Sequence, residues 1–451
     1  MGNIAEASHR AGWPDFSLYR PHPSGATLAE WLRETQALTD ALFGVIDAAR
    51  LDVPKIPIVN PPLWEIGHVG WFQEFWIHRR GSFEAPSILA GADTLYDSAR
   101  VHHDTRWSLG LPDFDATRRY GKSVLKRSLE MLDRGPLTDE LAYFTQLSIL
   151  HQDMHNEAFC IMWQTLGYPM PLPAPARAHV TACPPEGDIE IPSGRLVLGA
   201  APASGFVFDN EKWGHEVELP GFAIARHAVT NAQYRAFVED GGYRRRELWS
   251  DAGRLMLDEL ALAAPRYWRR DGDTWRVRRF DRELPLEAAE PVMHVSFHEA
   301  EAWCRLAGRR LPTEAEWECA AATSPDRGTR RTKRRYPWGD AAERPVEALA
   351  QLDARCAGPA AACDHPAGRS GWGACQMLGN VWEWTSSRFA PYPGFSADPY
   401  KEYSAPWFID DHRVLRGGSF ATPLRLIRNT WRNFYLPHRA DVFCGFRTCA
   451  A

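Results

Sequence analysis

The chain has 451 residues, and its 52 Lys and Arg against 57 Asp and Glu give a formal net charge of −5. This length suggests roughly two or three domains, and 45% hydrophobic with 24% charged residues is typical of a globular protein. The mildly acidic balance gives no overall attraction to nucleic acid, and no apolar run is long enough to cross a membrane. Met1–Arg20 lacks the pattern of a signal peptide, so a cytoplasmic location is expected.

The first half of the chain, residues 1–168, is predicted to be a four-helix bundle. Apolar residues recur there at a spacing near 3.6, which is typical of amphipathic helices. Four helices joined by connections of varied length favour a bundle. The predicted helices cover about residues 28–45, 62–79, 117–132 and 138–166.

A Pro-rich segment, residues 169–185, is expected to form an extended linker. In residues 186–451, short β-like runs (195–198, 216–219, 222–225 and 413–415) alternate with Gly, Pro and Asn turns. Two helices are predicted, at Asn231–Glu239 and Phe297–Leu306, and a third begins at Thr313 with a capping-box pattern. The second half is therefore a mixed, loop-rich domain, and the fold class of the whole chain is α+β with two domains.

Three histidines in the helical half form a candidate metal site. His151 and His155 are spaced i, i+4, so they share one face of the fourth helix. His68 lies on an otherwise apolar helix, where a lone histidine is more often a core residue. Three neutral imidazoles from two facing helices suit Fe(II), Zn(II) or Cu(II), and the spacing alone does not choose among them. Residue 152 is Gln, so the zincin pattern His-Glu-x-x-His is absent.

Three other segments carry groups of the kind found in binding sites, and two of them remain candidates. The loop from Gly81 to Asp115 contains Arg100 and His103, which either bind an anionic substrate group or form an ordinary solvated surface. The aromatic run Trp431–Tyr435 either holds a quaternary ammonium or packs in the core. The basic run Arg327–Arg335 has no interleaved aromatic residues and indicates an exposed loop rather than a nucleic-acid site.

Several stretches of the second half form a specific set that covers most of residues 186–451: Pro220–Phe222, Val229–Asn231, Arg310–Glu318, Gly379–Trp384, Leu415–Phe420 and Gly445–Arg447. They resemble the motifs of the formylglycine-generating enzymes, or sulfatase-modifying factors, whose fold is a variant of the C-type lectin fold. The first half is similar to a DinB-like bundle, so the resemblance covers nearly the whole chain.

The two halves occur together in the sulfoxide synthases of ergothioneine and ovothiol biosynthesis and in the related selenoneine synthase. The resemblance to this family implies a nonheme iron oxidoreductase whose Fe(II) is held by His68, His151 and His155, in a His-x-x-x-His-x-Glu motif that ends at Glu157. It implies that sulfur or selenium is joined to the imidazole C2 of hercynine with O2. Residues 419–423 lack the copper-holding cysteine of the formylglycine-generating enzymes, which argues against that activity. A structural Ca2+ in the second domain is left open.

Departures from the family pattern concern the chalcogen donor. Asn433-Phe434-Tyr435 stands where enzymes that use γ-glutamylcysteine have Asn-Trp-Asp, and Arg100 with His103 stands where they have two arginines. Residue 154 is Met, where many relatives have Gln. These changes remove groups that would bind charges, so a selenosugar donor is favoured over cysteine or γ-glutamylcysteine.

The other assignments come from the same resemblance. Hercynine is expected against Asn433, Phe434 and Tyr435, and Tyr392 is the nearest match to the family's active-site tyrosine. The partners are small molecules: hercynine, a selenosugar or thiol, and O2, with no nucleic acid and no membrane. Two alternatives stay open, an ergothioneine-type synthase that uses a thiol and a noncatalytic lectin-like binding module.

Overall fold

The computed structural model describes residues 13–171, 187–325, 332–340 and 346–451. The predicted linker, 169–185, lies outside the described residues except for 169–171, and so does most of the basic run 327–335. The long helices stand before residue 171 and the strands after residue 187. This arrangement is the predicted α+β class with a helical first half.

The first half is a helical bundle. Side-chain caps explain where three of its helices begin, because Ser24, Asp113 and Thr138 each accept a backbone N–H of the first turn. Gly167, in the left-handed conformation, ends the last helix. The four long helices agree with the sequence prediction, and α3 lies in a segment predicted as loop. The helices are α1 (Gly25–Phe43), α2 (Pro62–Gln73), α3 (Ala92–Tyr96), α4 (Phe114–Asp133) and α5 (Asp139–Leu166).

Helix α2 runs through the interior of the bundle. Every residue from Trp64 to Gln73 is buried, and a π-helical turn, Glu74–His78, continues the helix. Such turns often occur near functional sites. The buried carboxylate of Glu74 accepts hydrogen bonds from Tyr120 at 2.6 Å and Ser87 at 2.7 Å. Both donors lie outside the turn, and they stabilise its buried charge. Across the described ranges, no helix has the length and apolar character needed to span a bilayer.

In the second half, the described residues form four short helices and thirteen short strands. The helices are α6 (Asn231–Glu239), α7 (Asp251–Leu260), α8 (Phe297–Ala307) and α9 (Glu314–Ala322). The first seven strands are β1 (Asp188–Ile191), β2 (Gly194–Leu198), β3 (His215–Leu219), β4 (Phe222–Ala225), β5 (Trp268–Asp271), β6 (Thr274–Arg279) and β7 (Arg282–Pro285). The others are β8 (Arg309–Arg310), β9 (Trp382–Arg388), β10 (Arg413–Arg416), β11 (Asn433–Tyr435), β12 (Cys444–Phe446) and β13 (Cys449–Ala450).

These strands form four small sheets with the orders β1-β4-β13-β8, β11-β10-β9-β12, β2-β3 and β5-β6-β7. The pair β9–β12 is parallel, and the other strand pairs of these sheets are antiparallel. The predicted runs correspond to β2, β3, β4 and β10, and the predicted helices to α6, α8 and α9. The meander β5–β7 was not predicted, because more than half of its residues are charged and the segment shows no clear apolar alternation.

Helix α5 joins the two halves. Its buried Glu157 accepts hydrogen bonds from Trp382 Nε1 at 2.8 Å, Ser419 Oγ at 2.6 Å and Thr422 Oγ1 at 2.7 Å, all from the second half. One turn earlier, Asp153 accepts two hydrogen bonds from the Arg425 guanidinium, at 2.9 and 3.0 Å. These contacts fix α5, and with it His151 and His155, against the second half.

Candidate metal centre

Three histidines converge where α2 faces α5. One ring nitrogen each from His68, His151 and His155 lies within 4.8 Å of the other two. The ring centroids are 5.1 Å apart for His68–His151 and His68–His155, and 4.4 Å apart for the pair on α5. Among the residues that the structure describes, this is the one group of three or more His, Cys, Asp or Glu side chains close enough to share an ion.

Hydrogen bonds on the outer ring nitrogens orient two of these imidazoles. His68 Nδ1 donates to the Tyr96 carbonyl oxygen at 2.8 Å, and His155 Nδ1 donates to Glu65 Oε1 at 2.9 Å. The Nε2 atoms of His151 and His155 face each other at 3.2 Å. A protonated Nδ1 leaves the lone pair of Nε2 free, so this pattern prepares the inner nitrogens for a metal.

A glycine allows the close contact behind His68. A Cβ on Gly67 would stand 2.2 Å from Tyr96 Cε1, so α2 approaches the Tyr96 segment only because residue 67 has no side chain. The same segment supplies the carbonyl that binds His68 Nδ1. Stacking fixes the rings further, because Trp64 lies parallel to His68 at 5.0 Å and Phe72 lies parallel to His151 at 3.5 Å.

Burial controls the protonation of the cluster. His68 and His151 are each 2% exposed, and desolvation, with His155 as a neighbouring charge, lowers the pKa of both well below the usual value. Both rings are therefore neutral at physiological pH, as a metal ligand must be. Three imidazole nitrogens that converge in this way fit a divalent transition metal, Fe(II) included.

Tyr400, in the long connection between β9 and β10, contacts the cluster from the second half. Its ring centroid is 5.9 Å from that of His151 and 4.9 Å from that of Phe72. Burial raises the pKa of the Tyr400 phenol, so the hydroxyl keeps its proton at neutral pH. Tyr400 and Phe72, which both contact His151, also line a cavity of about 340 Å³.

This cavity contains one of the two loop residues expected to bind the donor. Arg100 lines it, with its guanidinium 3.3 Å from Asp97 and 3.7 Å from the ring centroid of Phe83. His103 is not among the lining residues, and its Nε2 lies 3.1 Å from the Val59 carbonyl oxygen. Met154, between the two histidines of α5, is half-buried against the core.

The residues expected to bind hercynine form β11. Strand alternation places Asn433 and Tyr435 on the face opposite Phe434. Phe434 stacks on Phe389 at 3.9 Å, inside an aromatic cluster of the second half. Burial, together with the charge of Glu157, raises the pKa of Tyr435 to about 12. The three residues thus face two different environments and do not form a single cage.

The tyrosine beside the histidines differs from the one expected. Tyr392 packs against His215, with a centroid distance of 4.7 Å, and the Arg432 guanidinium lies 4.1 Å from its ring. No ring contact joins Tyr392 to the cluster, whereas Tyr400 contacts His151 directly. Sequence reasoning missed Tyr400 because it lies among Pro and charged residues with no periodic pattern. It also missed Glu65, whose role appears only when α2 and α5 are packed together.

Family models match both halves of the chain. Residues 175–451 match the sulfatase-modifying factor enzyme 1-like domain, and residues 31–157 match the DinB superfamily. The chain is 32% identical over 283 residues to a formylglycine-generating enzyme of Streptomyces coelicolor, a match that covers 55% of this chain and 84% of that protein. That similarity is therefore confined to little more than half of the chain.

Similarity to the hercynine oxygenases extends across both halves. The chain is 39% identical over 419 residues to the hercynine oxygenase of Mycolicibacterium smegmatis, covering 89% of this chain and 93% of that protein. It is 40% identical over 437 residues to that of Mycolicibacterium thermoresistibile, covering 94% and 95%. The chain therefore belongs to the hercynine oxygenase family and is an oxidoreductase.

Proposed function

We propose that this enzyme uses O2 to form a carbon–selenium or carbon–sulfur bond at the imidazole C2 of hercynine, with Fe(II) held by His68, His151 and His155. The convergence of the three imidazoles, two of them fully buried, supports the proposal most strongly. In the balanced reaction, the C2–H of hercynine, the Se–H or S–H of the donor and O2 give a selenoxide or sulfoxide and water. The four electrons that reduce O2 come from forming the new bond and oxidising the chalcogen.

The proposed iron ligands are held from outside by the chain itself. Fe(II) bound here would supply the electrons with which O2 chemistry begins. The Tyr96 carbonyl and Glu65 hold the outer nitrogens of His68 and His155, while Phe72 fixes the plane of His151. Three protein ligands leave positions for substrate groups and O2.

Tyr400 is the proposed proton donor. The reduction of O2 to water takes up protons, and Tyr400 Oη keeps its proton at neutral pH because burial raises the pKa of the phenol. Its ring contacts both His151 and the Phe72 wall of the cavity. The hydroxyl can therefore deliver a proton next to the site where O2 is reduced.

We assign the hercynine site to the junction of the two halves, next to β11. The trimethylammonium group of hercynine needs an aromatic face or a negative charge. Both occur on the side of the strand that carries Tyr435: the ring of Tyr435 itself and the buried carboxylate of Glu157, whose charge acts on Tyr435. Asn433, on the same face as Tyr435, offers an amide for the substrate carboxylate.

The 340 Å³ cavity is the proposed donor site, and its chemistry favours a selenosugar. Aromatic rings such as Phe72, Trp76 and Phe83 form its walls, and a sugar presents apolar C–H faces to such walls. The charged lining is balanced, with Arg100 and Lys401 against Asp97 and Glu402. Since Arg100 is already paired with Asp97, the cavity has little positive charge to offer a dicarboxylate such as γ-glutamylcysteine.

A thiol donor is the second candidate. Arg100 lines the cavity, and a guanidinium can bind the single carboxylate of cysteine. A noncatalytic lectin-like module is no longer a candidate, because the chain is an oxidoreductase whose similarity to hercynine oxygenases extends through the bundle as well as the lectin-like half.

The test is O2 consumption by the protein reconstituted with Fe(II) under anaerobic conditions. Hercynine is supplied with a 1-seleno-sugar, its thio-sugar analogue, cysteine or γ-glutamylcysteine, and products are identified by mass spectrometry. We expect O2 uptake coupled to a hercynine–selenium adduct with the selenosugar and much slower turnover with the amino-acid thiols. Faster turnover with cysteine or γ-glutamylcysteine would move the assignment to an ergothioneine-type synthase. O2 uptake at background with every donor would refute the proposed reaction.

A further inference from the structure

We infer that Asp209 is a positioning residue that holds Tyr400 against the histidine cluster. The segment that carries Tyr400, residues 398–404, is called here the tyrosine loop, and residues 208–212 are called the anchoring turn. The catalytic meaning of the inference rests on the proposed function. Its structural part, that one carboxylate holds this loop in place, does not.

Asp209 contacts both ends of the tyrosine loop. At the far end, the Ser404 hydroxyl donates to Asp209 Oδ1, and at the near end the Asp398 backbone N–H donates to Asp209 Oδ2 at 3.4 Å. Asp209 is 2% exposed. Its two oxygens thus close a seven-residue loop, with Tyr400 near the middle.

The rest of the anchoring turn contacts the same loop. Lys212 Nζ and the Tyr19 hydroxyl both donate to Asp398 Oδ1, at 2.5 and 2.7 Å. Phe208 stacks on Tyr403 with a centroid distance of 4.2 Å. The near end of the tyrosine loop is therefore held at Asp398 by the anchoring turn and Tyr19. The far end is held at Tyr403 and Ser404 by the anchoring turn alone.

The anchoring turn is itself rigidly held. The buried Glu211 carboxylate forms an ion pair with Arg428 and accepts a hydrogen bond from Thr430 Oγ1 at 2.7 Å. The tyrosine loop has little support of its own, because its regular structure is one short 3-10 turn, Lys401–Tyr403. Apart from the ring contacts of Tyr400 itself, the loop is held by contacts at residues 398, 403 and 404, and Asp209 makes two of these.

Removing the Asp209 carboxylate should loosen the tyrosine loop and misplace the Tyr400 hydroxyl. A misplacement on the order of 1 Å at a reacting group lowers a rate by up to about 100-fold. Binding of iron and of hercynine should be preserved, because their proposed contacts lie on α2, α5 and β11. The expected signature is a fall in kcat with little change in the hercynine KM.

The experiment compares Asp209→Ala and Asp209→Asn with the parent, alone and combined with Tyr400→Phe. Asp209→Asn keeps an oxygen that can accept from Ser404. Asp410→Asn is the matched control, an exposed acid of the same β9–β10 connection outside the tyrosine loop. Each protein is assayed for iron content, kcat, KM and the rate of tryptic cleavage after Lys401, the exposed lysine of the tyrosine loop.

We expect Asp209→Ala to lower kcat roughly 10- to 100-fold with normal iron content and to accelerate cleavage after Lys401. Asp209→Asn, which keeps one of the two accepting oxygens, should change both in the same direction by a smaller amount. In the Tyr400→Phe background the effect of Asp209→Ala on kcat should be nearly absent. An equal effect in that background, or unchanged cleavage in a folded Asp209→Ala protein, would overturn the inference.

If Asp209→Ala does not fold, the same readouts are taken on Asp209→Asn and Ser404→Ala. Should the parent show no O2-dependent turnover, the proposed function fails while the cleavage assay still decides whether Asp209 anchors the loop.

Discussion

The two sides of the candidate site are built from different kinds of structure. The histidine side consists of two long helices, with His68 on α2 and His151 and His155 one turn apart on α5. The tyrosine side is an irregular connection from the second half, whose Tyr400 contacts His151. Helices fix the relative positions of their side chains through backbone hydrogen bonds, whereas an irregular segment depends on separate side-chain anchors.

This difference suggests a division of labour. The histidine side has three converging imidazoles, two of them oriented by hydrogen bonds on their outer nitrogens, and this arrangement is suited to holding a metal. In the proposed function, the other side supplies the groups that contact substrates or deliver protons: Tyr400, β11 and one wall of the cavity. A change on one side should therefore affect iron binding, and a change on the other should affect turnover or substrate affinity with the iron retained.

The largest effect is expected for His151→Ala. Removing one of three nitrogen donors leaves a two-histidine site, so iron content and turnover should both be lost. Iron is measured after reconstitution, and turnover by O2 uptake with hercynine and donor. His438→Ala, which removes an exposed histidine of the second half, is the control and should retain its iron. Full iron content and turnover in His151→Ala would contradict the ligand assignment.

An intermediate effect is expected for Glu65→Gln. The carboxylate accepts from His155 Nδ1 at 2.9 Å, and replacing such a support behind a metal-ligating histidine weakens metal affinity by roughly 10- to 100-fold. The affinity for Fe(II) is measured by anaerobic competition with a chelator, and Glu30→Gln on the exposed face of α1 serves as control. The KM for hercynine, measured at saturating iron, should stay near that of the parent. A change in KM with unaltered iron affinity would place Glu65 on the substrate side.

The smallest effect is expected for Phe434→Ala. Phe434 packs on the face of β11 opposite Asn433 and Tyr435, so the loss of its ring should raise the hercynine KM by less than the roughly three- to tenfold expected for a direct cation–π contact. Iron content should not change, because Phe434 lies in the second half with Phe389 and His412. Steady-state kinetics at fixed donor concentration provide the measurement. An unchanged hercynine dependence would assign Phe434 to packing alone.

The histidine side was predictable from the sequence because helical periodicity is local. The i, i+4 spacing of His151 and His155 and the polar His68 on an apolar helix are visible without a structure. The four long helices were found for the same reason. The expected bundle and loop-rich second domain agree with the DinB and sulfatase-modifying-factor matches.

The tyrosine side was less predictable because its contacts join distant parts of the chain. Tyr392 and Tyr400 lie in one irregular connection, and only packing shows which of them contacts His151. Likewise, Arg100 and His103 are near neighbours in one loop, yet Arg100 lines the cavity and His103 lies against the Val59 carbonyl. The roles of Asp209 and Glu65 could not be predicted from the sequence. A single acidic residue has no distinctive pattern, and its role depends on the groups that pack against it in the fold.

The buried Glu157 has a consequence for engineering this enzyme. It lies two residues after His155, and all three of its hydrogen-bond donors, Trp382, Ser419 and Thr422, belong to the second half. Consider a chimera that joins this bundle, with Glu157, to a second half that lacks these three donors. The carboxylate would then be buried without hydrogen bonds, at a cost of about 1–3 kcal/mol or more. Recombination between relatives should therefore transfer the C-terminal turns of α5 together with the strand and loop that receive them.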